Sequence, residues 1–354
     1  MDKLRAATVG LGWVATHRHL PVMEASGEFE ILGVVDRSRG CAREVMLQRG
    51  YPHFAETADL ADVEWLKDVD VVTIATAPFS HYSLIRQALE LGKHVLTEKP
   101  FTMTVAEGEE LDSLARLKNR RLAVVHNFQF ARSTKRLLRD MANGTIGALR
   151  GVSAVQFGNP RRRLPKWYDQ LPLGLMYDES PHLLYLLRRV AGDVRLKRCI
   201  VQPSSAGLCT PARVDAFFQS PTLDGSITLS CNFESPVSEW YLMVFGEKRL
   251  GVVDIFRDIY ISLPNDGTHG TTNVFRTSVH AIGQHVWQHL ASGIPHLRGT
   301  LFYGNDEVFG RFARAVRGSL ADLDPINAES ALAVLRLQHA IIERQERIDR
   351  NETA

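Results

Sequence analysis

The sequence predicts an α/β protein in two parts. A doubly wound, mostly parallel sheet comes first, and an α+β domain with a predominantly antiparallel open sheet follows. Three observations predict this. Short apolar runs alternate with helix-length segments up to about residue 126, the pattern of parallel strands joined by crossover helices. A glycine turn, Gly10-Leu11-Gly12-Trp13-Val14-Ala15, separates the first run from the first helical segment. Beyond about residue 147, strand-like segments succeed one another through turns. A chain of 354 residues exceeds one ordinary core, and the change of pattern divides it into 1–126 and 127–354.

The elements follow in order. Residues 4–9 form the first strand and 13–26 a helix, with Pro21 near its middle marking a kink or break. A second strand, 30–35, ends at Asp36, and 42–48 is helical. A polar segment leads into 63–66. Residues 69–75, Val-Asp-Val-Val-Thr-Ile-Ala, are the strongest buried-strand signal, β-branched and closed by Ala77-Pro78. Helix 80–91, strand 94–97, helix 105–117 and a sixth strand at 122–125 complete the first part, and 132–143 is a connecting helix. Strands are then expected at 149–157, 195–202, 214–219, 226–234, 239–245, 252–256 and 259–262. A helix at 181–190 interrupts them, and late helices lie at 306–317 and 328–342.

Composition sets the outer bounds. With 45% hydrophobic and 23% charged residues the chain reads as globular. Its 42 basic and 40 acidic residues leave a formal charge of +2, which argues against nucleic acid or an anionic membrane as partner. Arg161-Arg162-Arg163 and Lys118-Asn119-Arg120-Arg121 read as solvated surface. The four cysteines show neither C-x-x-C spacing nor disulfide-scaffold density. The first residues lack a signal-peptide pattern and no run reaches membrane-spanning length, so a cytoplasmic location is expected.

The glycine turn points to a dinucleotide. Gly10 permits a tight turn, Gly12 admits a pyrophosphate close to the backbone, and Ala15 lets the helix pack near its strand. The N–H groups of that helix, from Trp13 and Val14 onward, would meet the phosphates. Asp36, at the end of the second strand, can accept the hydroxyls of an adenine ribose and repel a 2′-phosphate. NAD(H) is therefore expected over NADP(H), although adjacent Arg37 can cap the adenine or receive a phosphate. Ala75 and Thr76 end the central strand where they can line the cofactor. His81 just beyond is open between a surface helix residue and a cofactor neighbour. Glu98-Lys99-Pro100 follows strand 94–97, so Glu98 can orient a ribose and Lys99 can hydrogen-bond a reacting oxygen.

With these motifs in that order, and with Asp178-Glu179-Ser180-Pro181-His182 after them, the chain resembles the Gfo/Idh/MocA family of nicotinamide-dependent oxidoreductases over most of its length. The resemblance implies an N-terminal Rossmann domain that binds the dinucleotide, at 1–126, and a C-terminal substrate and oligomerisation domain, at 127–354. It implies that Lys99 is the catalytic lysine of E-K-P and that Asp178 and His182 are the pair of D-x-x-x-H. Asn127, in Asn127-Phe128-Gln129-Phe130, is carried over to the cofactor site. Arg163, Trp167 and Tyr168 are carried over to the approach of the substrate, which in this family includes sugars, cyclitols and nucleotide-linked sugars. Tyr168 stands where arginine is frequent, Ser180 where glycine is, and Gln129 where arginine is. These departures leave the particular substrate open.

Asp178 and His182 carry weight of their own. Four residues apart, they share a helix face or converge around a bend, with Pro181 suited to an early helical turn. Histidine moves protons near neutral pH, and an aspartate can orient its ring or bind a hydroxyl. The expected chemistry is hydride transfer between a nicotinamide and a CH–OH carbon of a sugar, amino sugar or cyclitol. His182 handles the hydroxyl proton and Lys99 the developing charge on oxygen; the two roles can exchange, and the direction stays open. The alternatives are a non-catalytic NAD-sensing or carbohydrate-binding protein and a cofactor-recycling sugar oxidoreductase. No metal is expected: His285 and His289, at i,i+4, lack a third ligand. An apolar sheet face near Trp240, Tyr241, Leu242 and Val244 suggests a homodimer or homotetramer.

Overall fold

The computed structural model describes residues 2–299 and 301–347, and the chain divides into two units. The first is Met1–Asn127 with Gly304–Arg336, and the second is Phe128–Tyr303 with Leu337–Ala354. The sequence reading gave everything after 126 to the second part. The chain instead returns to the first, because the late helix Asn305–Val316 buries Val308, Phe309 and Phe312. Phe309 meets Phe29 edge-on there, with ring centroids 6.0 Å apart. Ala328, Ala331 and Leu332, from the start of the last helix, Ala328–Glu343, join the same core as Val72, Ile74, Val95 and Leu111.

The first unit is built on six strands: β1 (Leu4–Val9), β2 (Phe29–Val35), β3 (His53–Ala55), β4 (Val71–Ile74), β5 (His94–Thr97) and β6 (Leu122–Val124). They lie in the order β3-β2-β1-β4-β5-β6, all parallel. This is the doubly wound Rossmann arrangement, which reverses between β1 and β4 and binds ligands at the carboxyl ends there. The polar segment before 63–66 holds a strand that no pattern predicts, His53–Ala55, whereas residues 60–68 form two short 3₁₀ turns, Leu60–Asp62 and Glu64–Asp68. Three residues on an edge give no alternation to read, and Val63 and Leu66 are buried as turn anchors.

Four helices accompany these strands: α1 (Leu20–Ser26), α2 (Cys41–Arg49), α3 (His81–Glu90) and α4 (Val105–Leu117). Thr104 caps α4 with a reciprocal Glu107 bond, a capping box. Pro21 does not break the first helical segment. A π-turn at Ala15–His19 precedes α1, and the Leu20 N–H bonds the Ala15 carbonyl five residues back. The wider turn absorbs the donor that proline lacks.

His94 gives this unit a pH dependence. Its Nδ1 accepts the Arg121 N–H at 3.0 Å. Burial first, and then the charges of Arg120 and Arg121, push its pKa from 6.5 down to about 4. Between those values the unfolded chain takes up a proton that the fold refuses, so stability falls as pH drops from 6.5 to 4. His94→Asn, followed by denaturant unfolding across that window, is expected to flatten the slope. An unchanged slope would exclude His94 as its source.

In the second unit α5 (Arg132–Ala142) leads into β7 (Leu149–Phe157) and then α6 (Leu175–Ala191). Six strands follow: β8 (Arg195–Gln202), β9 (Arg213–Ser220), β10 (Leu223–Asn232), β11 (Glu239–Gly246), β12 (Arg249–Asp254) and β13 (Ile259–Pro264). After them come the long helix α7 (Thr271–Leu297) and, late in the chain, β14 (Gln345–Arg347). The sheet order is β13-β12-β11-β7-β10-β9-β8-β14. It is mixed: β10 with β7 and β14 with β8 are parallel, and the other pairs are antiparallel. Trp240, Leu242 and Val244, expected on an open face, are buried. Tyr241, expected with them, lies instead on the other face with Met243 and Phe245; Tyr241 and Met243 are half-buried and Phe245 is exposed. Helix α7 was not expected at all; its two glycines, proline and β-branched residues weaken every propensity signal for a helix.

Helix α6 starts six residues before its expected beginning and contains Pro181. Proline leaves the carbonyl four residues back without its helical donor. That carbonyl, Tyr177 O, instead accepts Gln338 Nε2 at 2.5 Å. The substitute donor lets a buried helix run unbroken through the Asp178–His182 stretch.

Candidate active site

At the carboxyl end of β1, Gly10 has φ +84°. A Cβ there would sit 2.4 Å from Thr76 Cγ2 and 2.9 Å from Thr76 N, so the turn after β1 rests directly on the turn after β4. Only glycine satisfies both the backbone and the clearance. Gly12 is the opposite case, with open space where a Cβ would stand. Ala15 is fully buried among Leu11, Leu20, Val34 and Ala75, which seats the helix against the strands. Trp13 is exposed, stacked on His17 with centroids 5.0 Å apart, and Val14 is half-buried.

Asp36 braces this turn. Its Oδ2 accepts the Leu11 N–H and its Oδ1 the Ser38 N–H, each at 2.8 Å. A carboxylate has about four acceptor positions, so both oxygens keep capacity for ribose hydroxyls. Arg37 is exposed beside it. The residues therefore suit a dinucleotide: an uncluttered glycine at a helix start, a small residue beneath, and an acidic group at the end of β2.

His81 is not a surface helix residue. It is fully buried, with Nδ1 2.8 Å from Pro100 O and Nε2 3.1 Å from Thr76 O. Burial lowers its pKa against these hydrogen bonds. The ring ties the turn after β4 to the turn after β5. Thr76 Oγ1 accepts the Ser80 hydroxyl at 2.8 Å, and Ala75 is buried.

The Glu98-Lys99-Pro100 corner follows β5. Glu98 Oε2 accepts the Lys99 N–H at 3.0 Å, and Oε1 accepts from His19 Nε2 at 2.9 Å. Burial alone would push the Glu98 carboxyl up, but the His19 hydrogen bond and charge, with the positive charge of Lys99, hold it below its ordinary value of 4.5. The carboxylate thus stays ionised inside the protein. His19, fully buried, comes from the π-turn, and among the described residues its Nδ1 has no hydrogen-bond partner. The sequence reading missed this residue; its only signal was a histidine two positions before Pro21. Lys99 itself is half-buried, and Asn127 is buried at the end of the unit.

In the second unit Asp178 is buried in the first turn of α6, and His182 is half-buried one turn on. Helical spacing puts them on one face. His182 Nδ1 lies 3.0 Å from Tyr185 Oη, which also accepts the Phe128 N–H at 3.0 Å. Phe128 packs edge-on to the imidazole with centroids 4.8 Å apart, and Trp240 lies tilted at 5.6 Å. Tyr185, three residues past His182, is a second residue the sequence reading passed over. Arg162 is not solvated surface: it pairs with Glu179, which also accepts from Gln156 Nε2. Arg163 is exposed, and Trp167 and Tyr168 are half-buried. Among the described residues no cluster of three or more His, Cys, Asp or Glu is arranged to hold a metal. No helix there is long and apolar enough to cross a membrane.

Strand order, glycine turn and acidic group define a two-domain protein whose first unit is a dinucleotide-type Rossmann domain. Residues 4–126 match the family model described as "Oxidoreductase family, NAD-binding Rossmann fold". Its first unit thus carries the Rossmann domain of the Gfo/Idh/MocA oxidoreductase family. An uncharacterized oxidoreductase of Schizosaccharomyces pombe is 33% identical over 193 residues, covering 52% of this chain and 50% of the relative. A dTDP-3,4-didehydro-2,6-dideoxy-alpha-D-glucose 3-reductase of Saccharopolyspora spinosa is 34% identical over 165 residues, covering 44% and 46%. The matches thus span about half the length of these curated relatives. In fold the chain is similar to a 3-ketoreductase variant from Actinomadura kijaniata, solved with TDP-benzene and NADP. There the TM-score is 0.75 at 18% identity, covering 98% of this chain and 99% of that one.

Proposed function

We propose that this chain is a dehydrogenase or reductase that transfers a hydride between a nicotinamide dinucleotide, NAD(H) in preference to NADP(H), and a CH–OH carbon of a sugar, amino sugar or cyclitol. The observation that carries the reading is the Glu98–Lys99 corner. It sets an ionised, buried carboxylate and a half-buried lysine at the carboxyl edge of a Rossmann sheet, beside the switch point where such sheets take their ligand. The Saccharopolyspora spinosa relative, named as a reductase of a dTDP-linked sugar, supports a sugar-derived substrate class.

The bound cofactor supplies the hydride acceptor or donor. The protein does the rest. Gly10, Gly12, Trp13, Val14 and Ala15 form the phosphate turn. Asp36, with Arg37 beside it, takes the adenine ribose; Ala75, Thr76, Glu98 and Asn127 line the remainder, and His81 holds two of their turns together. Lys99 hydrogen-bonds the reacting oxygen and stabilises its developing negative charge. His182 accepts the hydroxyl proton in oxidation and returns it in reduction, with Asp178 orienting the ring or binding a substrate hydroxyl. Arg163, Trp167 and Tyr168 contact the polar substrate.

Purified protein incubated with NAD or NADP and a panel of sugars, sugar nucleotides and inositols is expected to change nicotinamide absorbance. The ratio kcat/KM should be higher for NAD, and Asp36→Ala should narrow the difference. Tight nicotinamide binding with no turnover across the panel in either direction would favour a sensing role. No nicotinamide binding would refute both readings.

A further inference from the structure

We infer that the exposed face of α7 is a docking surface for a second copy of this chain, paired helix to helix about a two-fold axis. The helix is amphipathic in the reverse of the usual sense. Its inward face is polar: Gln288 accepts the Tyr260 N–H at 2.8 Å and donates to the Tyr260 carbonyl, while Gln284 accepts the Ser262 N–H at 2.9 Å. Gln288 and Ser292 are its buried residues. Its outward face is apolar. Phe275, Val279, Ile282, Val286, Leu290 and Leu297 fall at intervals of three, four and seven residues, which places them in one stripe. They are 71%, 51%, 62%, 56%, 60% and 88% exposed. A surface helix normally turns this face inward.

Charge and area argue for a protein occupant. Arg276 is the one formally charged side chain in 27 residues, in a chain that is 23% charged. Depletion of charge with retained aromatic and aliphatic bulk marks the core of an interface. A helix that lies on lipid carries a lysine- and arginine-rich polar face; here the polar face is spent on β13. Together with flanking Trp287 and Ile294, the stripe offers on the order of 1,000 Å² of side-chain surface, against about 800 Å² per partner in a standard interface. Gly293 leaves open space at its Cβ position within the stripe, allowing close approach. A straight apolar stripe is complementary to its own antiparallel copy, which is what an isologous contact requires.

Sedimentation equilibrium of the full chain at micromolar concentration is expected to give an even-numbered assembly. A variant carrying Ile282→Glu and Leu290→Glu should have half that mass, with an unchanged melting midpoint and unchanged nicotinamide binding. Should this variant fail to fold, Ile282→Ser serves. It is expected to raise the dissociation constant about a hundredfold, roughly tenfold for each of two symmetry-related side chains. A monomeric wild type would overturn the proposal, as would a variant that keeps the wild-type mass or dissociation constant. So would a wild-type monomer that co-sediments with phosphatidylserine-containing vesicles, which would assign the face to lipid.

Discussion

Lys99→Ala is expected to lower kcat by about 10²–10⁴-fold, the range that one positioned proton-handling or charge-stabilising group supplies. Nicotinamide affinity should change little. The separation follows from the corner: the proposed cradle for the dinucleotide consists of Gly10, Gly12 and Asp36, whereas the structural tie of the corner runs through the Glu98 carboxylate and the Lys99 backbone N–H, which alanine retains. Lys99→Arg keeps the charge but moves it on a planar fork, so partial activity is expected with an altered pH profile. Stopped-flow and equilibrium fluorescence read the two parameters independently. A kcat within threefold of wild type in Lys99→Ala would remove the lysine from the chemistry.

His19→Leu is expected to cost about 3 kcal/mol or more of stability, because it strips a partner from a buried carboxylate while roughly keeping bulk. Glu98 would retain the Lys99 N–H and the nearby Lys99 charge, but lose its side-chain hydrogen bond. The double variant His19→Leu with Glu98→Gln should recover much of the loss, since the uncompensated charge is then gone. The pH dependence has a definite sign. A carboxyl held below its ordinary 4.5 in the fold contributes stability above that pH and loses it as pH falls toward the folded value. The difference between wild type and His19→Leu should therefore shrink below about pH 4.5. Denaturant melts at pH 7 and pH 4 test this, and equal differences at both would rule the pair out as its origin.

Much of the first unit was legible because parallel strands announce themselves. Val71–Ile74 is a short β-branched run closed by Ala-Pro, and nothing but a buried strand fits it. The Gly10 turn was legible because one residue type meets both its φ and its contact with Thr76. The missed features are those whose causes lie far off in sequence. His19 matters through Glu98, 79 residues away, and no local pattern links them. The π-turn that delivers it follows from Pro21, which by itself signals only interruption. Helix α6 was cut short at Pro181 for the same reason: the donor that rescues it, Gln338, lies 161 residues on. Helix α7 went unseen because Gly283, Gly293, Pro295 and its many β-branched residues weaken local helix propensity, although its apolar residues recur at helical spacing.

The division of the first unit between Met1–Asn127 and Gly304–Arg336 bears on how the protein is made. At an elongation rate of roughly 5–20 residues per second, all six strands of the parallel sheet leave the ribosome well before Phe309, Phe312 and Leu332 exist. The nascent sheet must wait, its apolar flank uncovered, while the intervening domain is synthesised. A fragment ending at residue 127 would carry the proposed nucleotide cradle and yet lack part of its own core. Such a fragment is expected to be recovered with chaperones or in inclusion bodies, whereas one extended by a linker to Gly304–Arg336 should fold.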